Sequence, residues 1–228
     1  MITDIQFSAA HNDWPALRDA VLQAEAEGFD TTWVFDHFDG ALLGGDRPIL
    51  ECFTLLGAMA AVTSTIGLGT LVANVANRHA AVLTAATQSV QRISGGRMHL
   101  GIGAGAGPDS RFAREHHERS IGLDADLGAR HRAVVANIDA VRAVVDVPII
   151  VGVNSDALAR VAGEVADGVN VRLSSAIAPR LVQVARDAAG DRPFEVSGWC
   201  HLRDAASREL AHDLAIDRLI LTRLEPLG

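Results

Sequence analysis

The chain has 228 residues, a length at which an α/β barrel runs as one domain, and it is read as a single domain over 1–228. Hydrophobic residues make up 49% and charged residues 21%, which excludes a disordered chain. The net charge is −8 and the 20 Lys and Arg are scattered, so nucleic-acid and anionic-membrane partners, which need a basic stripe, are not expected.

The pattern alternates strand and helix with no linker. Residues 2–8 read as a first strand. An amphipathic helix follows over 14–27, with Asp13 as N-cap, Pro15 in its first turn and Gly28 as its stop. The β-branched and aromatic run 31–35 is a second strand. Residues 53–77 carry no charge, yet their glycines, Asn74 and change of period exclude a membrane span. They divide into a helix over 51–63 and a third strand over 66–72. A helix over 80–93 is ended by Ser94-Gly95-Gly96, and 98–102 is the fourth strand. Residues 108–126 are irregular and charged. A helix over 130–145 leads to a wholly apolar strand at 148–153, as expected when both faces are buried. Helices at 156–166, 179–189 and 207–215 then alternate with strands at 168–171, 194–197 and 218–221.

This order implies a TIM (β/α)8 barrel, compact, with shortened loops and a reduced C-terminal end, since the chain stops at Gly228. A doubly wound open sheet would need a topological switch point and usually fewer strands. Chemistry in such a barrel sits at the C-terminal ends of the strands. There the second strand delivers Asp36 and His37. A carboxylate beside an imidazole makes a poised proton donor or acceptor; the alternative is that Asp36 caps a turn and His37 packs. Gly101-x-Gly103-x-x-Ala106 matches the loose dinucleotide fingerprint but is a decoy, because Pro108 interrupts any immediate helix. Asn154 and Ser155 precede a helix whose free N–H groups suit an anion, and Ser155 serves equally as a plain cap. The run Arg114-Glu115-His116-His117-Glu118 lacks metal-ligand spacing and reads as a solvated charged face, so no metal is assigned. Cys52 and Cys200 make no disulfide framework, and the N-terminus has no secretory pattern, so a cytoplasmic protein is expected. His11, Trp199 and His201 follow strands and are candidates to face the pocket.

Three segments, Asp36-His37-Phe38 with the strand before it, Ile66-Gly67-Leu68-Gly69-Thr70-Leu71-Val72, and Ser94-Gly95-Gly96 running to Gly105, resemble in this order the luciferase-like family of flavin- and deazaflavin-dependent oxidoreductases. The detail is nearest to members that use coenzyme F420. The resemblance covers essentially the whole chain and is strongest over 28–105. It implies that His37 is a catalytic acid or base with Asp36 as its partner. It also implies a bulge with a non-prolyl cis peptide at Leu71–Val72 against the coenzyme ring, and a polar contact from Asn74. Close approach of the coenzyme at Gly103, Ala104 and Gly105 is implied too, with its phosphate on Asn154 and Ser155 and a further contribution from Ser174 and Ser175. Arg78-His79 would support the loop.

The sequence departs from the family at Ala106, where some deazaflavin dehydrogenases carry a proton-transferring Glu. Val153 stands for a second glycine, and only a short stretch remains between Trp199 and Ser207, where relatives carry a long insertion. The expected pocket is therefore shallow, or closed by a partner subunit. The implied function is hydride transfer between F420 and a small organic substrate. The alternatives are an FMN-dependent monooxygenase and a trimmed member that binds flavin or nothing without turnover. A homodimer through the helices at 53–59 and 80–87 is implied, though core burial explains those helices as well.

Overall fold

The computed structural model describes residues 1–45 and 48–227. Its strands are β1 (Ile2–Phe7), β2 (Thr31–Val34), β3 (Gly67–Thr70), β4 (Ala73–Asn74), β5 (Met98–Gly103), β6 (Ile149–Val153), β7 (Gly168–Arg172), β8 (Glu195–His201) and β9 (Arg218–Arg223). The helices between them are α1 (Trp14–Glu27), α2 (Cys52–Val62), α3 (Ala80–Ile93), α4 (Arg114–His117), α5 (Leu127–Arg142), α6 (Asp156–Val165), α7 (Ala178–Ala189) and α8 (Ala205–Asp213). All strand pairings are parallel, and β5 pairs with both β3 and β4. β3 and β4 are therefore one stave interrupted at Leu71-Val72, and the sheet closes into an eight-stave TIM barrel. Closure rules out the doubly wound open sheet.

Local chemistry explains most of the element ends. Asp13 accepts from Ala16 N at 3.2 Å, and Gly28 adopts φ 82° with its N–H on Ala24 and Glu25, so α1 starts and stops as its caps require. Glu51 caps α2 through Thr54 N at 2.8 Å. α5 begins at Leu127, earlier than its apolar period suggests, because Asp126 accepts from Gly128 N and Ala129 N. β8 runs four residues past its expected end, out to His201. The region 108–126 is not wholly irregular: it holds a 3₁₀ turn at Arg111–Ala113 and the single-turn α4. Gly228, on which the expectation of a reduced C-terminal end rests, lies outside the described residues.

The strands alternate as a barrel demands. Leu68, Leu100, Ile102, Val151, Val169, Val171, Val196 and Leu219 pack in the main core with the helices. A separate interior cluster of Trp33, Leu71, Ile150 and Ile220, with Val72 and Trp199 against it, occupies the barrel lumen. Glycine at 69 is what admits the indole, since a Cβ there would lie 2.8 Å from Trp33 Cδ2. Below it the lumen is polar. Asp4 accepts from Trp33 Nε1 at 2.7 Å, from Thr31 N at 3.2 Å and from Arg218 Nη1 at 2.9 Å, and Arg218 also reaches Asp30 and Glu195. Cys52 and Cys200 are free and buried. Among the described residues no helix is long and apolar enough to cross a membrane.

Candidate active site

β2 ends at Val34, and the next residues turn over the C-terminal rim of the barrel. Asp36 is 4% exposed and both its oxygens are engaged. Arg78 donates to them from Nη1 at 2.7 Å and Nη2 at 2.8 Å, and Asn74 N donates to Oδ2 at 2.8 Å. Its carbonyl accepts from Asn77 Nδ2 at 3.0 Å. Leu71 N donates to Val34 O at 2.8 Å, and Gln6 Nε2 to Leu71 O at 3.3 Å. The peptide at the centre of this bulge, Leu71–Val72, is cis. Asp36 is thus the knot that ties the β3–β4 interruption to β2. Burial works against the Arg78 charge, but Asp36 and Glu51 beside it raise its pKa above the usual value.

The carboxylate on the His37 ring is not that of Asp36. It belongs to Glu115 on α4, whose Oε1 lies 2.7 Å from His37 Nδ1. Glu115 Oε2 accepts from Phe38 N at 2.7 Å and Asp39 N at 3.1 Å. Burial pushes this carboxyl up, yet the His37 ring and the two N–H groups outweigh burial and hold it below the usual carboxylate range. The adjacent His116 bridges inward as well. Its Nδ1 lies 3.1 Å from Phe112 O, and its Nε2 lies 2.9 Å from Asn77 Oδ1 and 3.1 Å from Asn74 Nδ2. Glu115 and His116 have no exposed surface, which corrects the reading of this run as a solvated face; only Arg114, His117, Glu118 and Arg119 point outward. The signal for this is present in the spacing. Phe112, Glu115 and His116 recur at helical intervals, but the inward stripe is mostly polar, so an apolar period does not find it.

The glycines after β5 answer to the bulge. A Cβ at Gly103 would lie 2.6 Å from Val72 Cγ2, and one at Gly152 2.8 Å from Val72 Cγ1. Gly105 has φ 67°, and a Cβ there would collide with Asn74 Oδ1. Nearest to the bare faces of Gly103 and Gly105 are therefore Val72 and Asn74. Ala104 is buried beside them, and Ala106 carries no carboxylate. The Asn74 side chain is itself engaged, its Oδ1 accepting from Ala76 N at 2.9 Å.

Across the rim, Asn154, Arg172, Ser174 and Ser175 line a cavity of about 410 Å³ with Val153 and Leu181. Arg172 Nε donates to Ser174 Oγ at 2.8 Å, and its guanidinium lies 5.3 Å from the Trp199 ring centroid. Ser155 is not among those lining residues: its Oγ caps α6 through Leu158 N at 3.3 Å. The neighbouring Asp156 is paired with Arg180. The sequence pattern ends β7 at Val171, one residue short, and so does not single out Arg172. His201 packs edge-on to Trp199 at 6.0 Å, His11 Nε2 lies 3.3 Å from Leu43 O, and His79 accepts from Ala81 N at 3.2 Å. Among the described residues no group of three or more His, Cys, Asp or Glu is placed to hold a metal.

The profile of the family described as luciferase-like monooxygenase matches residues 3–220. The chain belongs to that family. A 5,10-methylenetetrahydromethanopterin reductase from Methanolobus tindarius is 28% identical over 85% of this chain and 64% of its own length. An F420-dependent glucose-6-phosphate dehydrogenase from Nakamurella multipartita is 32% identical over 67% of this chain and 50% of its own. The chain thus spans less than two thirds of either relative. In fold it is similar to a coenzyme F420-dependent tetrahydromethanopterin reductase from Methanopyrus kandleri, with TM-score 0.66 at 18% identity over 88% of this chain and 67% of that one. An F420-dependent secondary alcohol dehydrogenase superposes with TM-score 0.70 at 17% identity over 88% and 69%. An EDTA monooxygenase from a Chelativorans species gives TM-score 0.70 at 13% identity over 94% and 65%. The family is one of oxidoreductases that use a flavin or deazaflavin.

Proposed function

We propose that the chain binds a deazaflavin of the F420 type and transfers hydride between it and a small organic substrate. The observation that carries this reading is the imidazole of His37, a quarter exposed at the rim and anchored on a fully buried carboxylate. The residues present fit such a coenzyme. Arg172, Ser174, Ser175 and Asn154 offer a guanidinium, two hydroxyls and an amide in one cavity, the donor set a phosphate takes. Among the described residues no carboxylate pairs with Arg172, so its charge is free for an anion. When bound, the coenzyme supplies the hydride donor or acceptor. The protein's share is positional: Asp36 and Arg78 hold the Leu71–Val72 bulge, Trp33, Ile150 and Ile220 exclude water beneath it, and His37 exchanges a proton with the substrate. The similarity to an F420-dependent glucose-6-phosphate dehydrogenase supports the deazaflavin over FMN. We further read the chain as one barrel domain acting in the cytoplasm as a homodimer.

Calorimetric titration of the purified protein with F420 and separately with FMN tests this. Binding of F420 that weakens in Arg172→Ala is expected. Preference for FMN, with oxygen consumed on reduction, replaces the reading with a monooxygenase, because a deazaflavin lacks that oxygen reactivity. Binding of neither makes the chain a trimmed, non-catalytic member.

A further inference from the structure

His37 has two ring nitrogens, and the structure treats them differently. Nδ1 faces Glu115 Oε1 at 2.7 Å, and Glu115 has no exposed surface. Its other oxygen already accepts from the N–H groups of Phe38 and Asp39. These two N–H donors, with the His37 ring beside them, hold the carboxyl below the usual carboxylate range and so in its ionised form. An ionised carboxylate only accepts, so the proton shared with it sits on Nδ1. The rings of Phe112 and Phe35 also lie near the imidazole, with centroids at 5.6 Å and 6.4 Å, and neither offers a hydrogen-bonding partner to Nε2. Among the described residues Nε2 has no hydrogen bond, and the side chain as a whole is a quarter exposed.

We infer that Glu115 is the positioning residue of His37. It holds the neutral ring as the Nδ1–H tautomer and so makes Nε2 the atom that takes and returns a proton at the barrel mouth. As the substrate's X–H bond breaks, an Nε2–H bond forms, and the imidazolium's charge is balanced by the carboxylate across Nδ1. The reverse step returns the same proton to the substrate. α4 owes its place against the rim to this contact, to Arg114 on Asp39 at 2.5 Å and to Arg119 on Phe38 O at 3.2 Å. The consequence for turnover rests on the proposed oxidoreductase function; the tautomer does not.

Glu115→Gln makes the inference testable in the ligand-free protein. An amide has one oxygen, and the two backbone N–H groups claim it, which turns the NH₂ toward His37 Nδ1. That nitrogen must then accept, and the proton moves to Nε2. Nitrogen-15 shifts of the His37 ring at alkaline pH, assigned by loss of the signal in His37→Asn, report the tautomer directly. The wild type should show Nδ1–H, Glu115→Gln should show Nε2–H, and Glu115→Asp should keep Nδ1–H. An Nε2–H tautomer in the wild type overturns the inference even if neither variant folds. With F420 bound, Glu115→Gln should lower kcat about 100-fold while coenzyme affinity and KM stay level. A variant that switches tautomer yet turns over at the wild-type rate refutes the positioning role. Absence of F420 binding refutes the proposed function alone, and the ring shifts still decide the tautomer.

Discussion

Replacing His99 with glutamine should change how the stability of the barrel responds to pH. His99 lies on β5 beside Trp33, with ring centroids 6.0 Å apart, near the polar base of the lumen. Burial pushes its pKa down from 6.5 to about 4, the charge of Arg218 adds to the fall, and Asp30 opposes it. A histidine whose folded pKa is depressed binds its proton better in the unfolded chain. Its contribution is therefore intact above about pH 6.5 and is lost as the pH falls toward 4. Each pH unit between those two values is worth about 1.4 kcal/mol, or about 3 kcal/mol in all. Asp4 runs the other way. Burial pushes it up from 3.8 to about 6 against the pull of Arg218, so its contribution is present at low pH and is lost as the pH rises through about 6. Between about pH 4 and 6 the two nearly cancel in the wild type. Urea denaturation of wild type and His99→Gln at a series of pH values isolates the histidine. The difference between the two stabilities should shift by about 3 kcal/mol from neutral to about pH 4, the wild type losing ground. A difference that stays constant across that range would show that His99 is not desolvated and that water reaches the base of the lumen.

Three further perturbations address the rim. Gly103→Ala places a methyl 2.6 Å from Val72 Cγ2, and overpacking of this kind should cost about 1–3 kcal/mol in urea melts. Adding Val72→Ala should return most of that loss; a double variant no better than the single one would show that the glycine answers to something other than the bulge. Asp36→Asn leaves Arg78 and Asn74 N competing for one oxygen in a buried site and should destabilise by about 3–5 kcal/mol, whereas an unchanged melting temperature would mean the bulge is held by other contacts. Arg172→Ala, at an exposed position, should leave the melting temperature alone and weaken F420 binding about 10–100-fold, the worth of a charge-assisted hydrogen bond to a phosphate. Equal affinity in the two proteins would move the phosphate away from the 410 Å³ cavity.

Most of the fold is legible because it is written in local rules. Period, caps and β-branching place α1 and α3 at their observed bounds and every barrel strand near its own. Where boundaries slip, the cause is a tertiary partner or an overlooked cap. β8 continues to His201 because β9 continues beside it, with His201 opposite Thr222, and α5 starts directly after the Asp126 cap rather than at residue 130. The interruption of the third stave at Leu71-Val72 comes from resemblance, not from the pattern, since a run of apolar residues looks the same whether or not it pairs throughout.

The alternation of strands and helices, the closed parallel barrel that follows from it, and the arrival of Asp36, His37, Asn74 and Asn154 at one rim are all legible in the chain's order of residues. Each depends on interactions a few residues apart or on the handed repetition of one βα unit. Which of those residues touch was decided only by tertiary structure. His37 and Glu115 are 78 positions apart, and Asp36 and Arg78 are 42. No local period links them, and adjacency in sequence made Asp36 look like the partner of His37 when its carboxylate was already committed to Arg78 and Asn74 N. Successive residues at a strand end point to opposite sides, so neighbours in the chain are poor candidates for a hydrogen-bonded pair. The carboxylate that meets the imidazole comes instead from a single-turn helix two staves away, and only packing could bring it there.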